Sequence, residues 1–202
     1  MKNRATALKD WLDKVQNATL PEYENIPDVN LYMDQVVSYV NDCLKSFTHK
    51  DQKVITNYMV NNYVKDKLIS KPVDRKYTRN QVAYLIAITC LKKAASIEDL
   101  SILLDKNNSA FKDKELYEFF KSSEREAFTN VHKKTKMRVD VIERKFKEEF
   151  KKAQDDPQKT EKLNKSLNIQ FAYVAFKLIV EAEVNLFFAN ELIEAIKSGY
   201  KN

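Results

Sequence analysis

The chain contains a single glycine, Gly199, and only four prolines among its 202 residues. Tight turns between adjacent β-strands depend on glycine, above all in Asn-Gly and Asp-Gly pairs that adopt positive φ at low cost. A fold built from many hairpins would therefore use glycine much more often. The scarcity of glycine predicts an all-α, mainly helical protein, and the apolar residues recur at helical spacing.

The overall composition is that of a folded globular protein. Hydrophobic residues make up 44% of the chain and charged residues 32%, a balance that allows a sizeable buried core and does not favour disorder. The formal net charge of +6 suits a nucleic acid, an anionic membrane or simple solubility. Net charge alone does not choose among these three.

Several classes of protein are disfavoured by what the sequence lacks. The N-terminal residues have no apolar core of the kind found in signal peptides. The most apolar run, residues 169–188, is interrupted by Lys177, Glu181 and Glu183, which a membrane span would not tolerate. We therefore expect a cytoplasmic protein. In that reducing compartment Cys43 and Cys90, both in apolar helical surroundings, are expected to be buried free thiols.

Signals of catalysis are also missing. A chain with one glycine has no glycine-rich phosphate loop, and no serine, cysteine or carboxylate lies in a recognisable catalytic motif. His49 and His132 are far from each other and from both cysteines in the sequence, so no metal site is predicted. We expect a protein that is not an enzyme and that needs no cofactor.

The positive charge is concentrated in one stretch. Between Asn61 and Lys93 there are eight basic residues and two acidic ones, Asp66 and Asp74. The excess of +6 equals the formal net charge of the whole chain. The basic residues are Lys65, Lys67, Lys71, Arg75, Lys76, Arg79, Lys92 and Lys93. This concentration makes the segment the first place to look for a site that binds an anionic partner.

A short amphipathic helix opens this region after Thr56, a residue well suited to cap a helix N-terminus. Its apolar side carries Met59, Val60, Tyr63 and Val64. Its polar side presents amides, a phenol and an ammonium group, on Tyr58, Asn61, Asn62 and Lys65. Asparagine can bond a base edge bidentately and lysine can neutralise a phosphate, so these four are candidate DNA contacts. The alternative is an ordinary solvated helix face.

A basic turn follows, in which Pro72 prevents the helix from continuing. It carries four cations within nine residues, at Lys71, Arg75, Lys76 and Arg79, which are candidates for phosphate contact or serve solubility alone. Thr78 with Gln81 then predicts a capping box at the start of the next helix. Ser96 with Asp99 predicts a similar arrangement one helix later. The helix between them, from Arg79 to Lys93, is apolar on most sides and is predicted to be the central core element.

This order of elements resembles the DNA-binding domain of MerR-type regulators. Tyr63, Leu68–Ile69, Pro72, Arg75-Lys76-Tyr77 and Thr78 follow the pattern in order, while Asn61-Asn62 stand where it has Arg-Tyr and Lys67 stands where it has glycine. The closer resemblance is to the family called domain of unknown function 1836 (DUF1836). It is carried by three stretches, Pro27 to Asn41, Met59 to Val73 and Lys76 to Lys93. The resemblance implies a MerR-like winged helix-turn-helix with a reduced wing, and the family brings no established activity.

The remaining segments suggest three parts to the chain. Residues 1–27 are predicted to form an opening helix and a linker, residues 28–105 the helix-turn-helix domain, and residues 106–202 a C-terminal helical domain. Asp28 is predicted to cap the supporting helix of the helix-turn-helix. Residues 105–109 are the predicted domain boundary. Beyond it we expect three helices, over residues 114–131, 137–153 and 160–198.

The last of these helices carries a long apolar stripe from Leu163 to Ile196, and between residues 171 and 188 even its flanks are apolar. This pattern predicts either the buried centre of a monomeric bundle or a dimer interface, and we expect a homodimer through the C-terminal helices. The functional expectation is a dimeric, MerR-like transcriptional regulator that binds duplex DNA. The alternative is a non-enzymatic adaptor that has kept the scaffold and binds a protein. The sequence indicates no particular small-molecule effector.

Overall fold

The computed structural model describes residues 4–48, 52–104 and 113–199. These residues form seven α-helices and two strands of two residues each, which confirms the all-α class. The helices are α1 (Arg4–Val15), α2 (Met33–Leu44), α3 (Asn57–Lys65), α4 (Arg79–Leu91), α5 (Ile97–Leu103), α6 (Asp113–Lys152) and α7 (Pro157–Gly199). The strands are β1 (Leu31–Tyr32) and β2 (Lys76–Tyr77), and short 3₁₀ turns occur at Tyr23–Asn25 and Lys45–Phe47.

The chain divides into two compact units, of which the first contains residues 18–125 and 190–202. Its core is built around α4, where every residue from Gln81 to Thr89 is buried. A helix that is apolar on all sides must be surrounded by protein, and α4 packs against α2 as predicted for the central element. Val36 and Val40 of α2, Val60 of α3 and Leu100 of α5 are completely buried in this core.

The N-terminus of α2 differs from the prediction. Asp28 does not cap it; α2 begins five residues later, at Met33, and the side chain of Gln35 accepts a hydrogen bond from the Tyr32 amide at 2.9 Å. The intervening residues form β1, which pairs antiparallel with β2 so that Leu31 lies opposite Tyr77. The Asp28 carboxylate instead forms an ion pair with Arg79 at 3.3 Å. Extended pairing with a distant strand therefore replaces the first predicted turn of helix.

The second unit contains residues 1–17 and 126–189. Ala5 of α1, Ile142 and Phe146 of α6 and Leu167 of α7 form its core. The turn between α6 and α7 lies where Asp155-Asp156-Pro157 predicted a break, and the Asp156 carboxylate caps α7 by accepting from the Lys159 amide at 3.0 Å. Proline suits the first position of a helix, where its missing N–H is not needed.

The prediction of two separate helices over residues 114–131 and 137–153 is wrong, because α6 is continuous from Asp113 to Lys152. Its polar middle contains no glycine or proline that would end a helix. There the His132 ring lies 2.9 Å from the carbonyl oxygen of Leu12, and Lys136 forms an ion pair with Asp13. Contacts to α1 thus stabilise the helical conformation of a segment that has little apolar periodicity of its own.

The predicted boundary at residues 105–109 lies outside the described residues, and the three-part division of the chain stays a prediction. Within the described residues, no helix combines the length and the apolar character needed to cross a membrane.

Candidate nucleic-acid interface

The position of α3 is fixed at both ends. Thr56 caps its N-terminus as predicted, with its hydroxyl oxygen accepting from the Met59 amide at 3.4 Å. Just before the cap, the Asn41 side chain of α2 accepts from the Val54 amide at 2.8 Å and donates to the Ile55 carbonyl at 3.0 Å. Asn41 therefore anchors the α2–α3 connection to α2. The sequence gives no sign of this role, because Asn41 follows a regular helical pattern.

The C-terminus of α3 is closed by a residue with positive φ. Lys67 has a φ of 61°, and the Ile69 amide reaches back to the Tyr63 carbonyl at 3.3 Å. Leu68 and Ile69 are buried beyond the end of the helix. They anchor the chain as it leaves α3. The left-handed conformation at Lys67 is the kind of position that glycine usually occupies.

The polar face of α3 is open. Tyr58 is 73% exposed, Asn61 and Lys65 are also exposed, and Asn62 is half-buried. None of these four side chains makes a hydrogen bond or an ion pair within the described part of the chain. The opposite face packs Val60 and Tyr63 into the core. Four adjacent side chains thus offer unused donors and acceptors on a helix that the core holds in place.

The predicted basic turn forms a tight β-hairpin with a two-residue loop. Val73 and Lys76 exchange backbone hydrogen bonds of 2.8 and 3.2 Å, and the two residues between them have positive φ, 49° at Asp74 and 62° at Arg75. Positive φ at both central positions defines the type I′ turn that suits a tight hairpin. Arg75 is exposed at its tip, Lys71 is exposed before it, and the Lys76 ammonium lies 5.0 Å from the centre of the Tyr32 ring.

Gln81 ties this hairpin to the start of α4. The side-chain carbonyl oxygen of Gln81 accepts from the backbone amide of Thr78 at 2.8 Å. The Thr78 hydroxyl oxygen accepts in return from the backbone amide of Gln81, which confirms the predicted capping box. The side-chain NH₂ group of Gln81 also donates to the Ser70 carbonyl at 2.8 Å. The capping half of this arrangement is visible in the sequence. The contact to Ser70 is not, because it depends on how the chain folds back between α3 and α4.

Arg79 is engaged inside the first unit. Its Nε donates to the Ile26 carbonyl at 2.9 Å, its Nη2 pairs with Asp28, and its guanidinium lies 5.5 Å from the centre of the Tyr23 ring. Binding a phosphate would require Arg79 to give up these contacts. Arg79 is therefore not among the residues that we propose to contact phosphates, although the sequence of the basic turn predicts it as a candidate.

Lys92 also has a structural role. Its ammonium donates to the Val54 carbonyl at 3.1 Å, and burial, together with the nearby Lys93, lowers its pKa. Five of the eight basic residues counted in this region are exposed, namely Lys65, Lys67, Lys71, Arg75 and Lys93. Lys76, Arg79 and Lys92 are half-buried.

Both cysteines of the chain lie in the first unit. Cys43 and Cys90 are free thiols, as predicted, but both are half-buried and not fully buried. This burial raises the pKa of both thiols, that of Cys90 to about 12. Such thiols are poor nucleophiles at neutral pH. Among the described residues of the chain, no group of three or more His, Cys, Asp or Glu is arranged to hold a metal ion.

These features describe an all-α protein in which a short helix, supported by α2 and by the core, presents an open polar face and is followed by a basic hairpin. Residues 21–131, more than half of the chain, match the family described as Domain of unknown function (DUF1836), and the protein belongs to that family. This confirms the closer of the two resemblances. No curated protein and no solved structure matches the chain.

Proposed function

We propose that this protein is a non-enzymatic, MerR-like transcriptional regulator that binds duplex DNA through α3. The observation that carries the proposal is the open face of α3, where Tyr58, Asn61, Asn62 and Lys65 have no partner within the described residues. An α-helix fits the major groove of B-DNA, where each base pair presents a distinct pattern of donors and acceptors. A supported helix with unused amides on one side is suited to reading that pattern.

The proposed roles divide between bases and phosphates. Asn61 and Asn62 read base edges, with Tyr58 beside them at the start of the helix. Lys65, Lys71, Arg75 and Lys76 contact phosphates, which position the helix without reading sequence. The hairpin that carries Arg75 is a reduced wing, and Gln81 holds it to α4.

Selection from a pool of random duplex DNA at two salt concentrations tests the proposal. We expect enrichment of a defined sequence, with binding that weakens as salt rises because phosphate contacts release counterions. Enrichment of an inverted repeat would also identify the operator of a dimer. The absence of any enriched sequence, with weak binding that is lost at the higher salt, would contradict sequence-specific binding.

Asn61→Ala separates base contact from general affinity. We expect it to reduce discrimination between the selected sequence and random DNA by about 1–3 kcal/mol, because the bidentate bond to one base is lost. Asn130→Ala, at an exposed position of α6, is the matched control and should leave discrimination unchanged. Equal losses on selected and random DNA would show that Asn61 does not read a base.

Arg75→Asn tests the hairpin. Asparagine tolerates positive φ, so this variant removes the charge while keeping the turn. We expect weaker binding to all sequences alike and a salt dependence flatter by about one unit of slope. Arg144→Asn, at an exposed position of α6, removes the same charge elsewhere and should leave the slope unchanged.

The alternative, a protein-interaction adaptor that has kept the helix-turn-helix scaffold, makes the opposite prediction. In that case the variants of α3 and of the hairpin would leave the protein's binding to its partner unchanged, and the selection would enrich nothing. The discriminating measurement is therefore the DNA selection, carried out on the full chain.

A further inference from the structure

The part of α7 that belongs to the second unit, residues 157–189, has an apolar face that this unit does not cover. Its inward side packs Leu163, Leu167, Phe171 and Val174 against α6 and the core of the second unit. Between 45% and 67% of each of six further apolar residues remains exposed on the opposite side of the helix. These six residues, called here the outer stripe, are Ile169, Tyr173, Phe176, Val180, Val184 and Phe187. Their steps of three or four residues follow the period of an α-helix.

The area of this face exceeds what a monomer normally leaves open. Ile179 and Phe188 extend the outer stripe on its two sides and are also more than half exposed. Taking about 200 Å² for each full side chain, the eight residues expose on the order of 900 Å². The largest apolar patch on a typical monomer is about 300–600 Å². A specific interface of standard size buries about 800 Å² on each partner. The outer stripe together with Ile179 and Phe188 therefore provides enough area for one such interface.

The charges along α7 indicate what covers the outer stripe. The first half of the helix, up to Lys177, carries four lysines and one glutamate, a net charge of +3. The second half carries four glutamates and one lysine, a net charge of −3. The sign changes between Lys177 and Glu181, and the midpoint of the outer stripe is residue 178. A second α7 in antiparallel orientation would place apolar on apolar and basic on acidic at the same time.

We propose that α7 pairs with α7 of a second copy of this chain, antiparallel and about a two-fold axis near residue 177. A two-fold interface must be self-complementary, and the reversal of charge about the midpoint of the outer stripe meets that condition. Lys162 and Glu191 flank the stripe near its two ends, and neither forms an ion pair within the described residues. In the dimer each Lys162 lies beside Glu191 of the second copy. This interface uses none of the residues proposed to contact DNA and does not depend on DNA binding.

The first test is the oligomeric state of the full chain without DNA, measured by sedimentation over a dilution series. We expect the wild-type protein to be a dimer and Phe176→Glu to weaken its association by at least about 100-fold, because a central aromatic contact is replaced by a charge in both copies. Phe119→Glu is the matched control: Phe119 is a helical residue of α6 that is 59% exposed, against 67% for Phe176. It should leave the dimer intact. A monomeric wild-type protein, or equal effects of the two variants, would overturn the proposal.

The second test distinguishes antiparallel from parallel pairing. Lys162→Glu and Glu191→Lys each place like charges together in the antiparallel dimer, and each should weaken association about five- to tenfold, since the pair occurs twice. The double variant restores opposite charges and should recover wild-type association. Positions 162 and 191 are 29 residues apart in the sequence of α7, so a parallel dimer would pair each position with itself and would show no such recovery. Independent, additive effects of the two substitutions would overturn the antiparallel arrangement.

Discussion

The effect of Glu124 on the stability of the folded state depends on pH. Its Oε2 atom is buried without a hydrogen-bond partner, and burial raises the pKa of its carboxyl group above the ordinary value of 4.5. The folded state therefore binds the proton more tightly than the unfolded state. This difference in proton binding contributes to the free energy of unfolding. The contribution is fully present below pH 4.5 and is lost as the pH rises through the folded-state pKa. At neutral pH the ionised carboxylate opposes folding.

Glu124→Gln removes that charge with little change of shape. We expect the variant to be more stable than the wild-type protein by about 1 kcal/mol at neutral pH, because a neutral amide costs less to bury than an ionised carboxylate. The difference should disappear in acid, below the ordinary pKa of glutamate. Urea unfolding at several pH values measures both effects, with the exposed Glu126→Gln as the control. A gain in stability that did not change with pH would exclude titration of Glu124 as its cause.

Single residues also show where sequence reasoning reaches its limit. The open face of α3 follows from helical spacing, and spacing alone brought Tyr58, Asn61, Asn62 and Lys65 together. The sequence cannot tell an available cation from an engaged one, because that depends on partners far along the chain. Arg79 looks like a free cation beside Lys76, yet it contacts Ile26 and Asp28, which lie about fifty residues earlier.

At the scale of elements, the amide side chain of Gln81 connects the hairpin to the start of α4. We expect Gln81→Met, which keeps the volume and removes the polar atoms, to destabilise the protein by about 2–3 kcal/mol, because the Thr78 amide and the Ser70 carbonyl both lose a partner. Thr56→Ala, which removes a simple helix cap, should cost about 1 kcal/mol. Chemical denaturation of both variants compares the two values. Equal losses would mean that Gln81 acts as a cap only.

Helix starts were predicted correctly where their signals are local. Thr56, Thr78 and Ser96 cap helices as their sequences indicate, since a cap and its partner lie within three residues of each other. The two errors both involve distant partners. β1 replaces the first turn of the predicted α2 because it pairs with β2, more than forty residues away. Similarly, α6 runs on through a polar stretch that contacts α1.

At the scale of the whole molecule, the two proposals can be joined in one experiment. If α3 binds DNA and α7 joins two copies, a duplex with two half-sites is held by two linked contacts. The second contact is then intramolecular, and such linkage can strengthen binding by about 10²–10⁴-fold without any new interaction. Phe176→Glu should therefore bind a single half-site as the wild-type protein does and lose most of its advantage on the paired site.

Fluorescence anisotropy with single-site and paired-site duplexes measures this advantage, and Phe119→Glu should retain it. Equal binding of Phe176→Glu and the wild-type protein to the paired site would show that dimerisation through α7 serves a purpose other than DNA recognition. Weak binding of Phe176→Glu to the single half-site would instead indicate that α7 affects α3 itself. Only a loss of affinity that is confined to the paired site agrees with a protein that binds DNA through α3 and dimerises through α7.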